Sequence, residues 1–108
     1  MTAPDDRVGA VFQALSDPTR RRVVSMLSRS GPVTATELDA GLPVTRQAVS
    51  KHLAALAQAG LVTTTREGRE VRYRLTPPPM REAVSWMASV GGEWDERLEA
   101  LRRHLGSG

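Results

Sequence analysis

The sequence has no cysteine, a single phenylalanine, a single tyrosine and no long hydrophobic run. Without cysteine the chain has no disulfide framework, no thiolate metal site and no thiol redox chemistry. No apolar stretch reaches the roughly 18 residues that a membrane-spanning helix needs. The opening MTAPDD has neither the basic segment nor the apolar core of a secretory signal. These absences predict a cytoplasmic protein with no membrane contact.

The residues that are present suit one small globular domain. A chain of 108 residues can bury a modest core, and 40% hydrophobic with 25% charged residues is ordinary for such a domain. The formal net charge is +3, and Lys51 is the only lysine among fifteen basic residues. Arginine suits bidentate contact with phosphate or guanine. Proteins of GC-rich genomes share this arginine bias, so the charge alone leaves the partner open.

Two helices are predicted in the first third of the chain. Apolar residues at i, i+3, i+4 and i+7 indicate an amphipathic helix at about residues 6–15. The segment SDPTRRRVVSML then starts a second helix, because Asp17 can cap it and Pro18 suits its first position. The residues RSGP at 29–32 end this second helix.

A second pair of helices is joined by a glycine-containing turn. Thr34 and Glu37 have the spacing of a capping box and open a short third helix. The turn AGLPV at 40–44 leads to Thr45, which caps a fourth helix that ends at Gly60. Two helices joined by a short turn, the second with a polar face, are typical of a helix-turn-helix.

The hydrophobic period changes from 3.6 to 2 after the fourth helix. The stretches LVTTTR and EVRYRL, separated by residues 67–69, predict a β-hairpin at about residues 61–75. The prolines at 77–79 are a stiff breaker, and a long final helix is predicted at about 80–105. The expected fold is mainly α with a small β-hairpin, a winged helix-turn-helix in a single domain over 1–108.

The last helix carries an unbroken heptad seam. From Met80 to Leu105, apolar residues recur four and three positions apart, with Gly91 at one of them. A helix of this length spans about 39 Å, more than its own small domain can cover. We therefore expect a second copy of the chain to cover part of it, and a helix packed only on its own core is the alternative. Gly91-Gly92 indicates either a kink or a close approach of two helices.

Residues 45–58 meet both demands of a helix that reads DNA. Val49, Leu53 and Leu56 form an apolar stripe that can pack on the domain, while polar residues gather on the other side in the first two turns. An α-helix fits the major groove, where its N-terminal residues meet base edges. The polar side is therefore predicted to be a reading surface rather than a merely solvated face.

Each polar residue of this helix has an expected role. Gln47 is expected to pair with adenine, Arg46 with guanine, and Ser50 with a base or a phosphate. Thr45 and Lys51 are expected to hold the phosphate backbone. Wing contacts to the DNA backbone or minor groove, with plain solvation as the alternative, are predicted for Arg66, Arg69 and Arg72.

Three motifs in order resemble the ArsR family of small bacterial winged-helix repressors. They are ALSDPTRRRVVSML (14–27), TRQAVSKHLAALAQAGLV (45–62) and REGREVRYRL (66–75), and the resemblance spans roughly residues 8–105. It implies a homodimer that places one recognition helix in each half-site of double-stranded DNA. It also implies repression that is relieved by an effector, which the sequence does not identify. The resemblance places the dimer interface on the first and last helices, at Val8, Val11, Phe12, Val84, Met87, Gly91, Trp94, Leu98 and Leu101.

The resemblance also assigns roles to residues outside the predicted contacts. Arg20 and Arg22 match the family's DPTR-x-R stretch and are expected to be structural ion-pairing groups. His52 matches the histidine of the S-x-H-L stretch and is expected to be structural.

The chain departs from the family's metal sensors. Many members bind metal through cysteines in the helix that corresponds to residues 36–41, and this stretch has none. Others use histidines and carboxylates of the last helix, where only His104 lies near Asp95 and Glu99. A zinc site needs three or four well-placed ligands. We therefore expect no metal site and resemblance to the branch without metal motifs.

No enzyme or cofactor site is predicted. Ser50 and His52 lie too close along one helix for triad geometry, and no P-loop or dinucleotide glycine pattern occurs. Two alternatives to a sequence-specific repressor remain open. One is a protein-interaction module that binds another protein through Trp86, Trp94 and the leucine surface. The other is a nucleic-acid binder without sequence preference.

Overall fold

The fold is that of a computed structural model, which describes residues 4–106, with side chains from residue 6 onward. The elements in chain order are α1 (Pro4–Ala14), α2 (Pro18–Ser30), β1 (Val33–Thr34), α3 (Ala35–Ala40), α4 (Arg46–Gln58), β2 (Val62–Glu67), β3 (Glu70–Leu75) and α5 (Pro77–Gly106). This mainly helical architecture with a small antiparallel sheet confirms the predicted class. None of these helices is long and apolar enough to cross a membrane.

Helix α2 begins and ends where its sequence predicts. The carboxylate of Asp17 accepts hydrogen bonds from the backbone N–H of Thr19 at 2.8 Å and of Arg20 at 3.1 Å. These bonds favour the charged form, and the one from Arg20 is the largest cause of the lowered pKa of Asp17. After Ser30, Gly31 takes a φ of 74°, which a residue with a side chain rarely adopts.

The two helices of the helix-turn-helix start at capping hydroxyls. The side chain of Thr34 accepts from the N–H of Glu37 at 3.2 Å and begins α3. The side chain of Thr45 accepts from the N–H of Ala48 at 3.1 Å and begins α4. Both predicted caps are confirmed. The chain leaves α4 through Gly60, whose φ of 79° lets it reverse direction into the sheet.

The sheet has three strands rather than the two that were predicted. In the order β1-β3-β2, the short β1 pairs antiparallel with β3 through Val33 opposite Tyr73. The β2–β3 hairpin is confirmed, with Val62 opposite Leu75 at its base and Glu67 opposite Glu70 at its tip. A strand of two residues shows no period in the sequence, so its pairing is visible only in three dimensions.

The core lies where α1, α2, α3, α4 and the base of the sheet meet. Helix α4 contributes Val49, Leu53 and Leu56, all buried, as its apolar stripe predicts. The remaining buried positions are Val8, Val11, Ala14, Val23, Leu27, Val33, Leu38, Leu42, Leu61, Val62 and Ala83. Because one side of α4 is anchored in this core, its polar side faces outward.

Helix α5 begins three residues earlier than predicted, and its prolines are part of it. Pro77, Pro78 and Pro79 form its first turn, where the amide hydrogen that proline lacks has no partner within the helix. Among the described residues of α5, only Ala83 is buried. The helix continues through Gly91-Gly92 without a break.

Candidate nucleic-acid interface

The polar residues at the start of α4 form one exposed surface. Arg46, Gln47, Ser50 and Lys51 together line an open surface depression of about 440 Å³, and we call these four residues the reading face. Each of them is exposed, whereas Val49 in their midst is fully buried on the opposite side of the helix. The fold therefore presents the reading face to solvent at the positive end of the helix dipole, which favours an approaching phosphate.

Arg46 is oriented by the preceding helix of the motif. Its Nη2 donates a hydrogen bond to Oγ1 of Thr36, in the first turn of α3, at 2.7 Å. This bond restricts the rotamers of a long side chain. Nothing in the sequence pattern marks Thr36 as a partner of Arg46, because a single polar residue ten positions away carries no periodic signal.

Arg20 and His52 join α2 to α4 behind the reading face. The Arg20 Nε–H donates to Nδ1 of His52 at 3.4 Å, and Nη1 donates to the carbonyl of Ala14 at 3.4 Å. Arg20 was expected to pair with a carboxylate, but its two acceptors are an imidazole and a backbone carbonyl. Arg22 is exposed on the same helix.

The wing turns tightly at Gly68 and Arg69. Gly68 has a φ of 63°, as such hairpin turns require, and Arg69 is exposed at the tip. Arg66 is also exposed and lies opposite Val71 in the register of the two strands. Residues paired directly across two strands point to the same face, so Arg66 shares a face with Val71. Arg72 is the next residue after Val71 and therefore points to the other face of the wing. The three wing arginines therefore do not form one patch.

Arg72, for which a wing contact to DNA is predicted, lies in the second strand of the hairpin. Its guanidinium lies among carboxylates, and its side chain is 28% exposed. Its Nη2 is 2.8 Å from Oε2 of Glu70, its Nε is 3.5 Å from Oε2 of Glu67, and its Nη1 is 3.9 Å from Oε1 of Glu37. The hairpin register places Glu67 and Glu70 on the same face as Arg72, whereas Glu37 comes from α3 and is brought there only by the fold.

Helices α1 and α5 pack together within one chain. Arg7 Nε lies 3.0 Å from a carboxylate oxygen of Glu82. The rings of Phe12 and Trp86 meet edge to face with centroids 5.7 Å apart. The two helices that were assigned to the dimer interface are thus already in contact in the protomer.

Two of the residues assigned to the dimer interface belong instead to the core. Val11 is fully buried and Val8 is 9% exposed, so neither has a surface with which to meet a second chain. An amphipathic pattern predicts that such residues are buried but not by which chain, which explains the error. Phe12 is exposed at the edge of the α1–α5 contact.

The rest of the assigned interface is exposed along α5. We call this the α5 seam, and it consists of Val84, Met87, Gly91, Trp94, Leu98 and Leu101. Trp94 is 56% and Leu98 is 48% exposed. Leu105, which continues the same stripe but was not included in the interface, is 71% exposed. A side chain added at Gly91 would have nothing within 4 Å in the protomer, so no close approach occurs there within one chain.

The described residues bring no three histidine, aspartate or glutamate side chains together as a metal site.

Comparison with known proteins identifies the family. The family model of a helix-turn-helix domain matches residues 15–65. The transcriptional repressor SdpR of Bacillus subtilis is 31% identical over 88 residues, which cover 82% of this chain and 97% of SdpR. The arsenical resistance operon repressor of Escherichia coli is 32% identical over 99 residues, which cover 88% of this chain and 81% of the repressor. The chain belongs to the ArsR family.

The solved structures agree with this assignment. An ArsR-like transcriptional regulator from Rhodococcus sp. RHA1 superposes on this ArsR-family chain with a TM-score of 0.77 at 40% identity. The superposition covers 90% of this chain and 91% of the other. The protein is therefore a DNA-binding transcriptional regulator with a winged helix-turn-helix, and its family is one of regulators rather than enzymes.

Proposed function

We propose that this regulator represses transcription as a homodimer that binds an inverted-repeat operator, with one α4 in the major groove of each half-site. The observation that carries the proposal is the reading face, which is exposed while the opposite side of α4 is held in the core. Arg46 and Gln47 are assigned to base edges, Ser50 to a base or phosphate, and Thr45 and Lys51 to the phosphate backbone. Since the target is chromosomal DNA, we place the protein in the cytoplasm.

The α5 seam supports the homodimer. Monomeric proteins rarely expose long contiguous apolar stripes, and this one extends along most of a helix of 30 residues. Its spacing is that of a two-stranded coiled coil, in which the same stripe of a second copy covers it. We propose that residues 84–101 of α5 and Phe12 of α1 form the interface, and that the described residues 4–106 act as one domain.

The charges that flank the seam favour antiparallel α5 helices. With Leu98 in the seam, Asp95 and Arg102 occupy equivalent flanking positions one heptad apart on one side, and Arg97 lies on the other side. In an antiparallel pair, equivalent flanking positions of the two helices face each other about the two-fold axis. Asp95 of each copy therefore faces Arg102 of the other, which gives two ion pairs. In a parallel pair Arg97 would face Arg102, which brings like charges together.

Reversing one of these charges distinguishes the two arrangements. Arg102→Asp is expected to raise the dimer dissociation constant about two- to tenfold at low salt, because it replaces two exposed ion pairs by two repulsions. Combining Arg102→Asp with Asp95→Arg should restore the dimer dissociation constant of the wild-type protein. Sedimentation equilibrium measures both constants. A tighter dimer in Arg102→Asp alone would indicate parallel helices instead.

Footprinting and salt titration test the proposed function. The purified protein, applied to the intergenic DNA beside its own gene, should protect two inverted half-sites whose centres are about one helical turn, or a multiple of it, apart. If six to ten phosphates are contacted, affinity should fall about 10³- to 10⁵-fold between 50 and 200 mM salt. Equal binding to random duplex would identify a nucleic-acid binder without sequence preference. Absence of salt-dependent binding would favour the protein-interaction module.

Arg69 at the wing tip is expected to contact phosphate. Arg69→Ala should weaken binding to the operator and to random duplex by a similar factor. Because the dimer loses one phosphate contact at each of its two wings, the slope of log affinity against log salt should fall by about 1.8, or about 0.9 per wing. Fluorescence anisotropy at several salt concentrations measures both quantities. A loss confined to the operator would show that the wing reads sequence.

A further inference from the structure

The guanidinium of Arg72 lies at the junction of the wing and the helix-turn-helix. We propose that Arg72 is a positioning residue, which ties the wing to α3 and holds three carboxylates beside the DNA-binding surface while offsetting part of their charge, rather than a residue that contacts DNA. The inference rests on the proposed function for its binding test, and a second measurement made on the free protein tests it independently.

All three nitrogens of this guanidinium are engaged. Besides its contacts with Glu70, Glu67 and Glu37, Arg72 donates from Nη1 to the carbonyl of Pro32 at 3.5 Å. Two of the carboxylates belong to the wing, the third to α3, and the carbonyl precedes β1. A single planar group thus joins the wing to Pro32 and Glu37, which are 40 and 35 positions away in the sequence. A lysine, with one point charge, does not have the shape to do this.

The backbone of Arg72 is the most restrained part of this cluster. Arg72 lies in the central strand β3, opposite Thr34 of β1 on one side and Thr65 of β2 on the other. Its side chain is 28% exposed, whereas those of Glu37, Glu67 and Glu70 are 51%, 70% and 56% exposed. The arginine is therefore the least exposed member of the cluster, and the more exposed carboxylates surround it.

We call Arg72 with Glu37, Glu67 and Glu70 the clamp, and the sign of its charges explains why it matters for DNA binding. Glu67 and Glu70 flank the turn that carries Arg69, the residue assigned to phosphate. Uncompensated carboxylates at this position repel the same phosphates that Arg69 attracts, and partly cancel its contribution. Arg72 lowers their combined charge from −3 to −2 and holds them by direct contact. For Arg72 to bind phosphate itself, these contacts would have to break.

A double-mutant cycle between Arg72 and Glu70 separates the two roles. In a clamp, Glu70 is the carboxylate most closely paired with Arg72, so Glu70→Gln alone changes operator affinity less than about twofold. Arg72→Gln frees the carboxylates and weakens binding to operator and random duplex about tenfold at low salt. Adding Glu70→Gln to Arg72→Gln then recovers most of the lost affinity, to within about threefold of wild type.

A DNA-contacting arginine gives the opposite pattern. In that case Glu70 competes with phosphate for Arg72, so Glu70→Gln alone strengthens binding and gives no recovery in the Arg72→Gln background. That pattern, strictly additive effects or an unaffected Arg72→Gln protein would each overturn the proposal. Arg69→Gln combined with Glu70→Gln is the matched control, and its effects should add. The salt slope of the dimer should fall by about 1.8 in Arg69→Gln, which is about 0.9 per wing, and remain at the wild-type value in Arg72→Gln.

Hydrogen exchange in the free protein tests the clamp without DNA. Arg72→Gln should accelerate amide exchange in β2 and β3 at least about fivefold while α2 and α4 remain at their wild-type rates, because only the wing loses its link. Unchanged exchange in the wing would overturn the clamp even if DNA binding fell. If the wild-type protein bound no DNA, the proposed function would fail, and this measurement would still decide whether Arg72 holds the wing.

Discussion

A protein carrying Leu98→Glu is expected to sediment as a folded monomer and to bind its operator at least about 100-fold more weakly than wild type, because two linked half-sites are no longer engaged together. Leu98 lies in the middle of the α5 seam and is 48% exposed in the protomer, so the substitution costs the isolated chain little. In the dimer it would bury two carboxylates in an apolar contact, which is strongly unfavourable.

The matched control adds the same charge beside the seam. Ala100→Glu places a carboxylate on an exposed position of the same helix turn, outside the heptad stripe, and should leave the dimer intact. Sedimentation velocity gives the oligomeric state, and circular dichroism confirms that both variants are folded. An intact Leu98→Glu dimer would exclude the α5 seam as the interface and would leave its exposed apolar residues to another partner.

The second large effect concerns base discrimination at the start of α4. Arg46→Ala and Gln47→Ala are each expected to weaken operator binding by about 1–3 kcal/mol per half-site, because each half-site loses a bidentate contact to one base. Binding to random duplex should change less than operator binding, so the specificity ratio falls. Competition anisotropy with operator and random duplex at a single salt concentration measures that ratio.

Two exposed residues of the same helix serve as controls for this experiment. Gln58→Ala removes an equally exposed amide from the C-terminal end of α4, away from the reading face, and should change neither affinity. Lys51→Ala should weaken both kinds of DNA by a similar factor, because a phosphate contact carries no sequence information. Full specificity in both Arg46→Ala and Gln47→Ala would refute their assignment to base edges.

The local structure was predictable because its signals are local. Asp17, Thr34 and Thr45 cap their helices in the structure as their positions indicate, since a cap depends on a side chain and an amide two or three residues away. The apolar stripe of α4 likewise predicts which side is buried. The reading face follows from that stripe, because residues on the other side of an anchored helix face outward.

The errors share a physical cause: a sequence pattern shows that a residue is buried or paired, but it does not show which other residues bury it or pair with it. Val8 and Val11 have the spacing of a buried stripe, but the chain that buries them is their own. The prolines at 77–79 are read as a breaker, although a helix accepts proline in its first turn. The strand β1 is too short to have a period, and it exists because β3 pairs with it.

The sequence by itself determined the family, the order of the elements, the helix caps and the polar side of α4, because these depend on residue types within a few positions of one another. Only the tertiary structure decided which arginines are exposed. Arg69 lies at the wing tip, Arg46 is held by Thr36, and Arg72 is surrounded by carboxylates from the wing and α3. The charge that an arginine presents to DNA depends on which distant groups the fold brings to it, and sequence spacing does not carry that information.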